Sequence, residues 1–197
     1  VAHELSNLIQ TADAYIDLHT GGKAMRIDPL VGYMLVKDSD VLERQRQMAE
    51  AFDLPIVWGT SGQLDGRSLS VARDAGVPAI YAEYLGGESI SDKGADDYYA
   101  GCLGVMHALQ MIGESPQKRS GRKVVIEDDR DQSGHLQICH QSPEQGIFSS
   151  TVELATHVKV GDLIGKVYSQ EILAEKSGRV ICLRVDGAVE RGDSLAV

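Results

Sequence analysis

Basic residues are scarce in this chain. Nineteen Lys and Arg stand against twenty-nine Asp and Glu, for a net charge of −10. No basic stripe is available to neutralise phosphates, which argues against a nucleic-acid partner. The same deficit argues against docking on an anionic membrane surface. An anionic small molecule stays open, since it needs only one or two local Arg residues. No apolar run approaches the ~20 residues of a membrane span, and no signal peptide is visible. Cysteine is sparse too. Cys102, Cys139 and Cys182 are odd in number and widely spaced. That excludes a disulfide framework and a C-x-x-C site, and leaves buried thiols in a reducing, cytoplasmic setting as the expectation. A G-x-S-x-G elbow is missing as well. Neither Ser61-Gly62-Gln63 nor Ser68 matches it, so no serine hydrolase is implied.

The 197 residues are enough for one substantial core or two smaller domains. Residues 113–121, with Pro, Gly and no periodicity, read as a linker between segments 1–112 and 122–197. Before the linker, strand and helix patterns alternate. Helices are expected at 3–12, 40–52 (Asp40 as N-cap), 68–75 and 96–111. Strands are expected at 15–18, 31–36, 55–58 and 79–83. Alternation of this kind implies an α/β sheet covered by helices on both faces. After the linker the pattern turns to strands, at 124–126, 135–139, 146–148 and 152–154. Two echoes of V-x-x-G-D follow, at Val158–Asp162 and Val189–Asp193, each reading as a strand and a tight turn.

Two segments carry candidate chemistry. Tyr15-Ile16-Asp17-Leu18-His19-Thr20-Gly21-Gly22 reads as a short strand that delivers a His into a glycine-rich loop. Asp17 is close enough to orient the His19 ring. Gly76 to Gly87 repeats the grammar: a turn, an apolar strand, one acid at Glu83, then Gly86-Gly87. A strand-end carboxylate is where a general base would be placed. Arg26 follows the first loop; it suits a substrate carboxylate, or equally an ion pair with Asp28. Tyr84 is a candidate pocket wall, while Tyr98 and Tyr99 read as helix packing. His135, Cys139 and His140 do not share one strand face, so structural roles are favoured over a metal site.

DLHTGG, the Arg26-Ile27-Asp28-Pro29 run and VPAIYAEYLGG resemble the succinylglutamate desuccinylase and aspartoacylase family, within the zinc carboxypeptidase-like hydrolases. The resemblance runs along the whole chain. It implies a zinc-carboxypeptidase-like sheet covered by helices, followed by a small all-β barrel-sandwich domain. It also implies one zinc ion, with His19 as a ligand and Glu83 as general base. The family's other two ligands come from an H-x-x-E motif, and here the chain departs from the pattern. Three places after His3, His19, His107, His135, His140 and His157 stand Ser6, Gly22, Gln110, Ile138, Pro143 and Val160. The two remaining ligands are therefore expected upstream of this chain, which would leave the fragment inactive alone. Lys176, at a turn like those of biotinyl and lipoyl carriers, lacks their sequence context and reads as a solvated turn residue. The implied function is a zinc-dependent deacylase acting on an N-acyl amino acid, with homo-oligomerisation open. A non-catalytic binding or scaffold module with an incomplete metal site is the alternative.

Overall fold

The computed structural model describes residues 2–114, 116–117, 121, 123–131, 133–134 and 140–197. The chain forms two units. One comprises residues 1–19, 29–83 and 91–134, the other 20–28, 84–90 and 135–197. Helices α1 (Ala2–Gln10), α2 (Ser39–Phe52), α3 (Ser68–Asp74) and α4 (Asp92–Ala108) all lie in the first unit. Its sheet holds β1 (Tyr15–His19), β3 (Ile56–Ser61), β5 (Val124–Glu127) and most of β2 (Met25–Leu35) and β4 (Ala79–Gly86), whose residues 25–28 and 84–86 belong to the second unit; the spatial order is β1-β4-β2-β3-β5. The β1–β4, β2–β3 and β3–β5 pairs are parallel.

Two helix pairs flank this sheet. Ile9 of α1 and Leu69 and Ala72 of α3 share a buried cluster with Met34 and Ala79 from the strands. On β2 the alternate residue Tyr33 is also buried, and its hydroxyl donates to Glu127 of β5 over 2.6 Å. Arg46 of α2 grips the same carboxylate through two bonds of 2.8 and 2.9 Å. Helix α4 approaches α2 closely because Gly101 and Gly104 carry no side chain. A Cβ on Gly104 would lie 2.2 Å from the Ala51 carbonyl oxygen. Buried Gln45 ties α2 to strand ends, donating to Met34 O at 2.8 Å and accepting from Ala79 N at 3.3 Å.

Several boundaries differ from the sequence reading. Helix α2 is capped by Asp38, not Asp40: its Oδ1 accepts from the amides of Asp40 and Val41. Helix α4 begins at Asp92 behind a Ser91 cap and stops at Ala108. Val124–Glu127 pairs with β3, so this strand completes the first sheet instead of opening the β-rich segment. No strand forms at 152–154. The expected strand at 135–139, with His135 and Cys139, lies outside the described residues.

Among the described residues of the second unit there is no helix. Strands β6 (Gly146–Ser150), β8 (Leu163–Val167), β9 (Gln170–Leu173) and β12 (Gly187–Val189) form an antiparallel sheet ordered β12-β6-β8-β9. Two short strands, β7 (His157–Val158) and β10 (Gly178–Arg179), pair with each other, and β11 (Cys182–Arg184) pairs with Met25–Ile27. Phe148, Ile164, Val167, Leu183 and Leu195 fill the core. The V-x-x-G-D echo is one turn built twice. Gly161 and Gly192 have φ of 86° and 89°. Each following Asp accepts from the amide three residues back, Asp162 from Lys159 at 2.8 Å and Asp193 from Glu190 at 3.1 Å. Glycine is required at both turns because the left-handed conformation excludes most side chains.

The two Gly-Gly loops interlock in the same unit. Gly21 N donates to Leu85 O and Gly87 N donates to Gly22 O, both at 2.8 Å. A Cβ on Gly21 would lie 2.1 Å from Met25 O, and one on Gly86 would lie 2.6 Å from that oxygen. One glycine of each pair, Gly21 and Gly86, sits where the two backbones touch.

Candidate active site

Parallel pairing of β1 with β4 brings the two motifs together. The register sets Tyr15 opposite Ala79, Asp17 opposite Tyr81, and His19 opposite Glu83. Side chains two apart on a strand share a face, and register partners of neighbouring strands share it too. Tyr15, Asp17 and His19 therefore line one face with Tyr81 and Glu83. That face is the one covered by α1 and α3, since Tyr15 and Tyr81 pack against their buried cluster. Room for the Tyr81 ring comes from Gly32 of β2, where a Cβ would sit 2.4 Å from the ring.

His19 stands half-exposed at the end of β1. Its Nε2 lies 3.0 Å from Asp17 Oδ1. The other carboxylate oxygen, Asp17 Oδ2, accepts a hydrogen bond from the Ser68 hydroxyl at the start of α3. The His19 backbone is held from another direction, by the Tyr98 hydroxyl of α4 donating to its carbonyl at 2.6 Å. Tyr98 also sets its ring edge-on to Phe52, with centroids 5.8 Å apart.

Glu83 is a half-buried acid. Its Oε2 is buried without a hydrogen-bond partner among the described residues. Burial pushes its pKa up to about 7; Asp17 adds to the rise, while the charges of His19 and Arg67 oppose it. Burial also raises the Tyr81 hydroxyl, again with Glu83 adding and Arg67 opposing. A carboxyl near neutrality can both take and return a proton at physiological pH.

Arg67, whose charge reaches both Glu83 and Tyr81, went unnoticed in the sequence reading, as did Ser68 in any role but nucleophile. Arg67 heads α3, where its amide donates to Ser70 Oγ at 3.0 Å. Arg26 lies in the other unit, exposed; against burial, hydrogen bonds from Ser150 and Ser149 hold the Asp186 carboxylate low, with the Arg26 charge adding least. The alternative of an Arg26–Asp28 pair does not hold: buried Asp28 is bound by Arg179 at 2.6 Å. His140 is a structural residue, with Nδ1 3.2 Å from Ala196 O and Nε2 accepting from Glu175 N at 3.1 Å.

A zinc centre takes three or four protein ligands. Among the described residues no group of three His, Cys, Asp or Glu side chains could hold a metal. His19 fits as one corner of such a centre, with Nε2 committed to Asp17 and Nδ1 left over. The described residues do not supply the remaining corners. Nor does any helix have the length and apolarity to cross a membrane, among the described residues.

No family model matches the sequence. Over 209 aligned residues the chain is 26% identical to the N-alpha-acetyl-L-2,4-diaminobutyric acid deacetylase of Halomonas elongata, covering 96% of this chain and 57% of that protein. It superposes along its whole length on the succinylglutamate desuccinylase/aspartoacylase structure from Rhodobacter sphaeroides, with a TM-score of 0.85 at 21% identity and 61% of that chain covered. The product-bound ectoine utilization protein EutE (DoeB) of Ruegeria pomeroyi gives a TM-score of 0.83 at 22% identity, also along the whole of this chain and over 60% of that one. The chain thus spans about three fifths of the length of these relatives. The resemblance carried by the two motifs stands, and the chain has the fold of the succinylglutamate desuccinylase/aspartoacylase proteins.

Proposed function

We propose that this chain is part of an amide-cleaving hydrolase that removes the acyl group from an N-acyl amino acid or a similar small molecule. One observation carries the reading. His19, the last residue of β1, is the register partner of Glu83 inside the adjacent parallel strand β4, and Glu83 Oε2 is buried without a hydrogen-bond partner among the described residues. An unpaired buried carboxylate is costly, and such groups persist where chemistry uses them. The deacetylase relative from Halomonas elongata supports the same chemistry.

In this reading Glu83 accepts a proton from the attacking water and returns it to the leaving amine. Arg67 offers a guanidinium fork to a substrate carboxylate, with Arg26 as the other candidate. Zinc is the cofactor this reading calls for: His19 would hold it through Nδ1 and Asp17 would orient the ring, while the described residues supply no second or third ligand. When bound, zinc supplies Lewis acidity toward water and the amide carbonyl. The β-rich segment with its doubled turn serves as a barrel-sandwich-like accessory domain. The sparse, widely spaced cysteines fit a reducing, cytoplasmic setting.

The test is direct. The intact protein is incubated with N-alpha-acetyl-L-2,4-diaminobutyrate and with N-succinylglutamate, and acetate or succinate release is followed. Release of either acid, abolished by a chelator and restored by zinc, is the expected result. Binding of both compounds without release of either would support the scaffold alternative instead.

A further inference from the structure

We infer that Ser68 is a positioning residue for His19, acting through Asp17. The chain of contacts is continuous. The Ser68 hydroxyl donates to Asp17 Oδ2, and Asp17 Oδ1 lies 3.0 Å from His19 Nε2. An ionised carboxylate only accepts hydrogen bonds, so the nitrogen facing it carries the proton. That leaves the lone pair on Nδ1. The inference rests on the proposed function in taking Nδ1 as the atom that faces the reaction; the tautomer assignment itself rests on the contacts alone.

Asp17 could not fix the ring unaided. A carboxylate on a strand turns about its side-chain bonds, and the half-exposed imidazole would turn with it. Ser68 occupies the second oxygen and so sets the plane of the carboxylate. The serine is well placed to do this. It is the first residue of α3, next to Arg67, whose carbonyl accepts from Ser70 Oγ at 2.6 Å. Leu69, the next residue, is anchored in the buried cluster beneath. The Tyr15 hydroxyl also interacts with both Asp17 and Ser68. Partners that orient a histidine in this way are worth about 10- to 100-fold in activity or metal affinity.

The experiment uses the intact protein in the wild-type form and as Ser68→Ala, Ser68→Cys and Ser68→Thr. Nitrogen-15 NMR of the metal-free protein reads the His19 ring. The wild type is expected to show a single tautomer protonated at Nε2. Ser68→Ala moves the ring nitrogens toward averaged values, Ser68→Cys does so partly, and Ser68→Thr restores the wild-type signature. Deacylase kcat falls about 10-fold in Ser68→Ala, with KM unchanged, and recovers in Ser68→Thr. An unaltered His19 signature in Ser68→Ala or, should that variant not fold, in Ser68→Cys would overturn the inference. So would a Thr variant that behaves like the Ala one. Should the wild type show no deacylase activity, the functional reading fails, while the tautomer comparison still decides the role of Ser68.

Discussion

A methyl group added to Gly21 should be far more damaging than one added to its neighbour Gly22. The Gly21→Ala Cβ would sit 2.1 Å from Met25 O, 2.7 Å from Met25 C and 2.8 Å from Leu85 O. All three are backbone atoms, and they cannot retreat cheaply. Met25 N donates to Gly21 O at 3.1 Å and Gly21 N donates to Leu85 O at 2.8 Å, so relief of the clash breaks one bond or both. Overpacking costs about 1–3 kcal/mol, and each lost hydrogen bond about 1 kcal/mol. Gly21→Ala should therefore cost roughly 3 kcal/mol or more. Gly22, at φ 62°, has no atom within 4 Å of its would-be Cβ. Gly22→Ala pays only the left-handed backbone penalty of about 1 kcal/mol. At ~2–4 °C per kcal/mol for a chain of this size, the Tm losses should be roughly 6–12 °C and 2–4 °C. Calorimetry or circular dichroism melting measures both. Equal losses would refute the claim that backbone interlock explains Gly21.

Three further outcomes follow from other contacts. Tyr98→Phe keeps the edge-on packing against Phe52 but frees the His19 carbonyl; it should cost about 1 kcal/mol in urea unfolding. Arg179→Met leaves the Asp28 carboxylate buried without its partner and should destabilise by about 1–3 kcal/mol, with Arg179→Lys milder. The Glu127 pKa is lowered by the Arg46 hydrogen bonds first and Tyr33 second, against burial. Its contribution is thus present above the unfolded carboxylate pKa and lost as pH falls through the depressed folded value. Arg46→Met should flatten the acid-side decline of the urea midpoint; an unchanged decline would show the pair contributes nothing to it.

Local grammar carried much of this fold into view. Tyr15–His19 and Ala79–Glu83 are legible as strands because apolar residues run up to one acid or His and then to glycines. Register is another matter. Nothing in the residues says that His19 stands opposite Glu83 rather than one place off, yet that pairing makes the site. Arg67 escaped notice because it sits in a polar stretch with no periodicity, and its relation to Glu83 exists only after α3 folds back on the sheet. The Asp28–Arg179 pair spans 151 residues of sequence, beyond any local pattern, so Arg26 offered itself as the nearer partner. Val124–Glu127 reads as belonging with the strands that follow it; only the parallel partner β3 assigns it to the first sheet. Asp40 reads as the cap of α2, but Asp38 is the carboxylate that reaches the first free amides.

Glu83→Gln in the intact protein tests the central claim most directly, because it keeps the size of the side chain and removes the base. The account predicts that kcat for release of the acyl group drops by about 10²- to 10⁴-fold, while zinc content and melting temperature stay at wild-type values. Near-normal turnover in that variant would contradict it.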